Sequence, residues 1–158
     1  TKEIKAFKER ENLDNIVQLP TIPRELLSEA LTTVDAHVVV MGDAVNGLVH
    51  SSKVYGALAT GRPIIYIGPE QGHIMDLLKN CHQVYHAEHG EVKKVVQAVE
   101  MIKSLSEKIK ETTAVENKRF YSLQVSKQKS FSVISEEVLK LPKEPQVFQP
   151  QELGETIA

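Results

Sequence analysis

His37-Val38-Val39-Val40-Met41 and Ile64-Ile65-Tyr66-Ile67 decide how this chain folds, together with Lys53-Val54-Tyr55-Gly56-Ala57-Leu58-Ala59-Thr60-Gly61-Arg62-Pro63 between them. The two apolar runs are almost continuously β-branched or aromatic, the pattern of strands buried on both faces of a parallel sheet. The intervening segment has helical spacing, with Val54, Leu58 and the small residues Ala57 and Ala59 on one stripe, stopped by Gly61 and Pro63. A strand, a helix and a second strand make a right-handed crossover, so the two strands run parallel.

Weaker strand signals lie at residues 16–19 and 83–85. Helical stripes fill the gaps. Leu26, Leu27, Ala30, Leu31 and Val34 form one, opened by Pro23, whose missing N–H costs nothing in a first turn. Ile74, Leu77 and Leu78 suggest a short helix. Val92, Val95, Val96, Val99, Ile102, Leu105 and Ile109 suggest a long one whose stripe is core. The alternation predicts an α/β class, a Rossmann-like doubly wound parallel sheet. After about Glu111 the strand signals stop, and Phe120, Leu123, Phe131, Ile134, Val138 and Leu141 read as further helices on the outside. Residues 1–141 are expected to form the globular domain, and the proline-rich residues 142–158 an extended tail.

At 158 residues with 41% hydrophobic composition, one core of ordinary size is expected. Nineteen basic residues against twenty-one acidic leave a formal charge of −2, which offers no footprint for a phosphate backbone, so no nucleic-acid partner is expected. No apolar run approaches the ~20 residues of a bilayer span. The single cysteine, Cys81, rules out an internal disulfide and agrees with a reducing, cytoplasmic compartment. The chain begins with Thr1 rather than methionine and, from Ile4 and Phe7, within a helical pattern. It therefore reads as a piece of a longer polypeptide.

Ligands of open α/β sheets sit outside the carboxyl ends of the strands, which draws attention to Gly42-Asp43-Ala44-Val45-Asn46-Gly47-Leu48-Val49-His50-Ser51-Ser52-Lys53. Gly47 permits a positive φ, and Ser51 or Ser52 can cap the helix while leaving neighbouring amides outward. Lys53 in the first turn is disfavoured by the helix dipole unless an anion joins it, and a diphosphate would supply one. The plain alternative is an ordinary serine cap with a solvated lysine.

Asn46-Gly47-Leu48-Val49-His50-Ser51-Ser52-Lys53-Val54-Tyr55-Gly56, followed by Ala59-Thr60-Gly61-Arg62-Pro63 and a strand ending Ile67-Gly68, resembles bacterial glycosyltransferases of family 4. The branch is the one with a Gly-Leu-x-x-Pro-Ser-Lys-x-Tyr-Gly core. The resemblance extends over roughly residues 13–105, with Gln71-Gly72-His73-Ile74 similar to an Asp-Gly-Glu-Ile turn of the family. It implies the carboxyl-terminal, nucleotide-sugar-binding domain of a two-domain B-type fold. Donor diphosphate and sugar contacts would then fall on Asn46, Gly47, Leu48 and Val49, and on Ser51, Ser52 and Lys53. Nucleobase contacts would fall on Thr21 and Ile22. Ser51 stands where the branch prefers proline and His73 where it prefers glutamate. The paired glutamates of many relatives are here Leu48 and Gly56.

The resemblance further implies a retaining transferase, active on a glycan or lipid-linked acceptor, that needs no bound metal or other cofactor. Its amino-terminal domain would lie outside this sequence and supply most of the acceptor site, the catalytic residues and any peripheral attachment to the inner membrane face. The first strand of the donor domain would lie outside it too. Two other readings share the fold: a non-catalytic regulatory or interaction domain, and half of a sugar-nucleotide epimerase, for which the donor loop offers only His50. His73, His82, His86 and His89 do not follow a zinc spacing and are expected to be surface loop residues. His37 is expected to be a hydrogen-bonded core histidine. Arg62 suits either a structural or a donor-facing role.

Overall fold

The computed structural model describes residues 2–49 and 51–134, with the side chains of Lys127 and Gln128 excepted. Val138, Leu141 and the expected tail at 142–158 lie outside the described residues. The chain divides into two compact units, Thr1–Thr33 and Val34–Ala158.

In the first unit, α1 (Lys2–Arg10) matches the helical pattern of Ile4 and Phe7. A 3-10 turn at Arg24–Leu26 leads into α2 (Leu27–Thr32), with Pro23 at the cap. The expected strand at residues 16–19 does not form. The segment is irregular, and Val17 and Leu19 are 74% and 73% exposed. An apolar run becomes a strand only when a neighbour accepts its backbone hydrogen bonds, and local pattern cannot supply one.

The second unit is mixed α/β. Its three strands, β1 (His37–Val40), β2 (Ile64–Ile67) and β3 (Val84–Ala87), lie in the order β1-β2-β3. Both pairings are parallel, with His37 opposite Ile64 and Ile64 opposite Val84. The connections are α3 (Lys53–Thr60) and α4 (His73–Leu78). Val39, Met41, Ile64 and Tyr66 meet Val54, Leu58, Ile74 and Leu78 of these helices in the larger core cluster. On the opposite face, α5 (Val92–Ser104) covers β2 and β3, where Ala98 and Ile102 pack on Ile65.

Three expectations need correction here. β1 is buried on one face only, since Val39 is 2% exposed but Val38 and Val40 are 58% and 54% exposed. The reason is that α5 packs over β2 and β3. The long stripe at 92–109 is not one helix. It ends at Ser104, and Ser106 caps a new helix, α6 (Glu107–Phe120), by accepting from the Ile109 N–H. Nor is the whole stripe core, because Val92, Val96, Val99 and Ile109 are exposed while only its Val95, Ala98 and Ile102 side faces the sheet.

Beyond α6 comes a π-helical turn at Tyr121–Val125 and then α7 (Lys127–Val133), capped by Ser126. Tyr121 and Val125 close the side of the larger core. The junction of α3 and α6 is unusually tight. Gly61 ends α3 at φ +70°, and a Cβ there would lie 2.9 Å from Cα of Ala114 in α6. Beside it, Asn117 is 3% exposed. Its amide accepts from the His82 N–H at 2.8 Å and donates to the carbonyls of His82 at 2.9 Å and Gly61 at 3.4 Å.

Cys81 packs against the larger core, and burial pushes its thiol up to about 11. Relative to the ordinary value of 9.0, this cuts the thiolate at pH 8 about a hundredfold. The more basic thiolate is also a better nucleophile, so labelling by a disulfide reagent should run about tenfold slower than on a free peptide thiol, rising roughly tenfold per pH unit up to the pKa. Labelling at the free-thiol rate would show that the thiol is open to solvent.

Candidate functional site at the carboxyl ends of the strands

Parallel strands in consecutive order send all their outgoing loops to one end of the sheet. There the loops after β1, β2 and β3 surround a cleft of about 490 Å³ lined by Asp43, Asn46, Pro69, Glu70, Gln71, Glu88 and His89. Of the residues expected at the site from sequence, Asn46 is the one that lines this cleft. Its Nδ2 donates to the Gln71 carbonyl at 2.8 Å, tying the first loop to the second. Gly72, at φ +124°, packs directly on that amide, with Asn46 Nδ2 3.1 Å from where a Cβ would stand.

Gly47 follows at φ +79° with open space around its Cα, as its place in the loop leads one to expect. Leu48 and Val49 are 81% and 53% exposed. Ser52 sits at the N-cap of α3, but its backbone is already helical and its side chain makes no capping bond, contrary to the sequence reading. Instead, the Val54 and Tyr55 N–H groups reach the Ser51 and Ser52 carbonyls, each at 3.3 Å, in a tight first turn. Lys53 is exposed at the first position of α3 and, among the described residues, has no ion-pair partner. His50 lies outside the described residues. Thr21, exposed, and Ile22, half-buried, belong to the first unit.

Two of the four histidines, His82 and His89, are exposed loop residues as expected, while His73 and His86 depart from that expectation. His73 opens α4 and His86 lies on β3, both half-buried. Tyr55 and His73 Nε2 are hydrogen-bonded at 2.9 Å, joining the starts of α3 and α4. His86 Nε2 donates to the Gly68 carbonyl at 2.7 Å, and its ring stacks on Tyr66 at 5.5 Å. His89 is exposed, yet its Nε2 donates to the Met41 carbonyl at 2.8 Å. A carbonyl can only accept, so both rings carry their proton on Nε2. His82, also exposed, lies 3.5 Å from Glu116. These rings brace the strand ends. Among the described residues no group of three or more His, Cys, Asp or Glu side chains is arranged to hold a metal ion.

At the opposite end of the sheet, Thr60 donates to the Ala57 carbonyl at 2.7 Å, so His37 Nε2, 3.0 Å away, donates to its hydroxyl. His37 is thus hydrogen-bonded, though only half-buried. Arg62 belongs to this end as well. Its charge contributes to lowering the Glu107 carboxyl, behind the larger effect of the Lys110 hydrogen bond. Arg62 therefore lies at the end of the strands opposite the cleft.

Sequence reasoning missed Asp43, Glu70, Glu88 and His89 as cleft residues. Asp43 and Glu70 each stand three residues beyond a strand end and Glu88 one, a signal that position alone could have carried. Glu91 organises the third loop. Hydrogen bonding from Lys94 is the main cause holding its carboxyl below the usual range, and it also accepts from the Glu88 N–H at 2.8 Å.

No protein-family model matches the chain, and no curated protein or solved structure matches it significantly.

Proposed function

We propose that this chain is the donor half of a retaining family 4 glycosyltransferase, a doubly wound Rossmann-like domain of a B-type fold that holds a nucleoside diphosphate sugar. The observation that carries the reading is Lys53, exposed in the first turn of α3 without an ion-pair partner among the described residues, directly after a loop whose Gly47 opens at φ +79°. A cation placed against the positive end of a helix dipole is unfavourable by itself and becomes favourable with a bound anion. As the diphosphate leaves, negative charge develops on it. Lys53 and the loop backbone are placed to stabilise that charge, the role a bound metal plays elsewhere.

The reading assigns a cytoplasmic setting and a partner domain that brings the glycan or lipid-linked acceptor and the catalytic groups. On its own the chain then binds donor weakly and transfers nothing. In a titration with uridine or guanosine diphosphate, Lys53→Ala should weaken binding about 10- to 100-fold, the usual worth of a hydrogen bond to a charged group. Equal affinity of the variant and the parent chain would overturn the assignment. A second reading, a non-catalytic interaction domain, draws on the exposed Val38 and Val40 of the β1 face. Recovery of transfer on adding the partner domain would decide for the enzyme.

A further inference from the structure

The loop that leads into α3 has little to hold it from within. Leu48 and Val49 are exposed, Gly47 has open space around it, and Ser52 makes no capping bond. The first-turn hydrogen bonds to the Ser51 and Ser52 carbonyls, each 3.3 Å, are at the long end of the usual range. Both ends of the loop are held from outside instead, and by the same turn. At the near end Asn46 Nδ2 donates to the Gln71 carbonyl, with Gly72 packed on that amide. At the far end, in the first turn of α3, the Tyr55 hydroxyl meets Nε2 of His73 at 2.9 Å. Residues 47–54 thus form a strap pinned at 46 and 55 to Gln71-Gly72-His73.

That turn is a firm anchor. His73 opens α4, and Ile74 and Leu78 of the same helix are 2% and 1% exposed within the larger core. The Tyr55 ring packs against the same core, so its hydroxyl is carried by a side chain that is itself held. A loose strap must be ordered when it binds, and the ordering subtracts from affinity. A strap already fixed at both ends loses less.

Resting on the donor-binding reading above, we infer that Tyr55 and His73 are a positioning pair for the diphosphate. Their hydrogen bond fixes the first turn of α3, and with it Lys53 and the strap amides, in the conformation that receives the anion. Lys53 lies two residues before Tyr55, so the tie acts within one helical turn. Neither member of the pair has to touch the ligand.

The test is a backbone-amide NMR titration of the whole chain, which reads millimolar binding, with uridine diphosphate and guanosine diphosphate as probes. Tyr55→Phe keeps the ring in the core and removes only the hydroxyl, while His73→Phe removes the ring nitrogen. For the diphosphate that binds, each variant should lose about three- to tenfold in affinity, the worth of one ordinary hydrogen bond. The double variant should bind no more weakly than the weaker single, because both changes break the same bond. His73→Gln should return affinity to within about twofold of the parent chain, since its amide both donates and accepts and so serves whichever direction the bond takes. Should His73→Phe fail to fold, Tyr55→Phe and His73→Gln carry the comparison.

A bond that serves the fold alone would lower the urea midpoint and leave the affinity of the folded chain unchanged, and that result overturns the inference. So do losses that add in the double variant, or no recovery with His73→Gln. In each of these cases Lys53→Ala still tests the donor reading by itself. Failure of both diphosphates to bind the parent chain overturns the donor reading and this inference with it.

Discussion

Asn117→Ala lowers the unfolding free energy of the chain by about 2–4 kcal/mol. The side chain is 3% exposed and clamps the backbone of His82 through both its N–H and its carbonyl, while also reaching the carbonyl that ends α3. Truncation leaves these main-chain groups without partners in a site that water reaches poorly, and each such group costs about 1–3 kcal/mol. Asn117→Asp provides the control. It keeps the acceptor for the His82 N–H but sets carboxylate oxygen against two carbonyls, so it should be at least as harmful as alanine. Urea unfolding with an unchanged slope measures both. A loss under about 0.5 kcal/mol, the range of an indifferent surface change, would mean that Asn117 does not hold the α4–β3 connection to α6.

The second large effect is at Gly61. Its φ of +70° costs an ordinary L-residue about 1–2 kcal/mol, and the added Cβ would meet the main chain of Ala114 at 2.9–3.0 Å. Backbone cannot rotate aside as a side chain can, so α6 must move away from α3 and loosen the Asn117 contact to the Gly61 carbonyl. Gly61→Ala should therefore cost about 3–5 kcal/mol in total. Asparagine tolerates the left-handed conformation but still carries a Cβ. If Gly61→Asn is nearly as destabilising as alanine, close approach dominates; if it recovers most of the stability, the φ value does. Because the two sites share one carbonyl, the double variant with Asn117→Ala should fall short of the sum of the singles.

These two positions separate what was legible along the chain from what was not. Gly61 is readable as the stop of a helix, since glycine followed closely by proline ends helices for local reasons. That Ala114 would press on it is not readable, because 53 residues separate the two and no periodicity links them. Asn117 carries no local signal. It sits among charged and polar residues of a helix and is distinguished only by which backbone passes it.

At the candidate site the same division holds. Gly47 and Lys53 were legible because a glycine loop entering a helix has local chemistry. The acidic cleft was not, because Asp43, Glu70 and Glu88 lie on three separate loops and meet only once the strands are aligned in register. The irregular segment at 16–19 and the exposed side of β1 fail in the opposite direction. There the apolar pattern was read correctly as pattern, but burial depends on a covering partner, and α5 covers other strands.

The sequence by itself determined two of the parallel strands nearly to the residue, the helix between them and the ends of that helix. Those features rest on β-branching, 3.6-residue spacing and the conformational freedom of glycine, all of which act within a few residues. Only the tertiary structure decided that three acidic side chains share a cleft and that one asparagine joins α6 to the backbone of two other connections. Each of these depends on distances between segments remote in the chain, which are set by sheet register and helix packing.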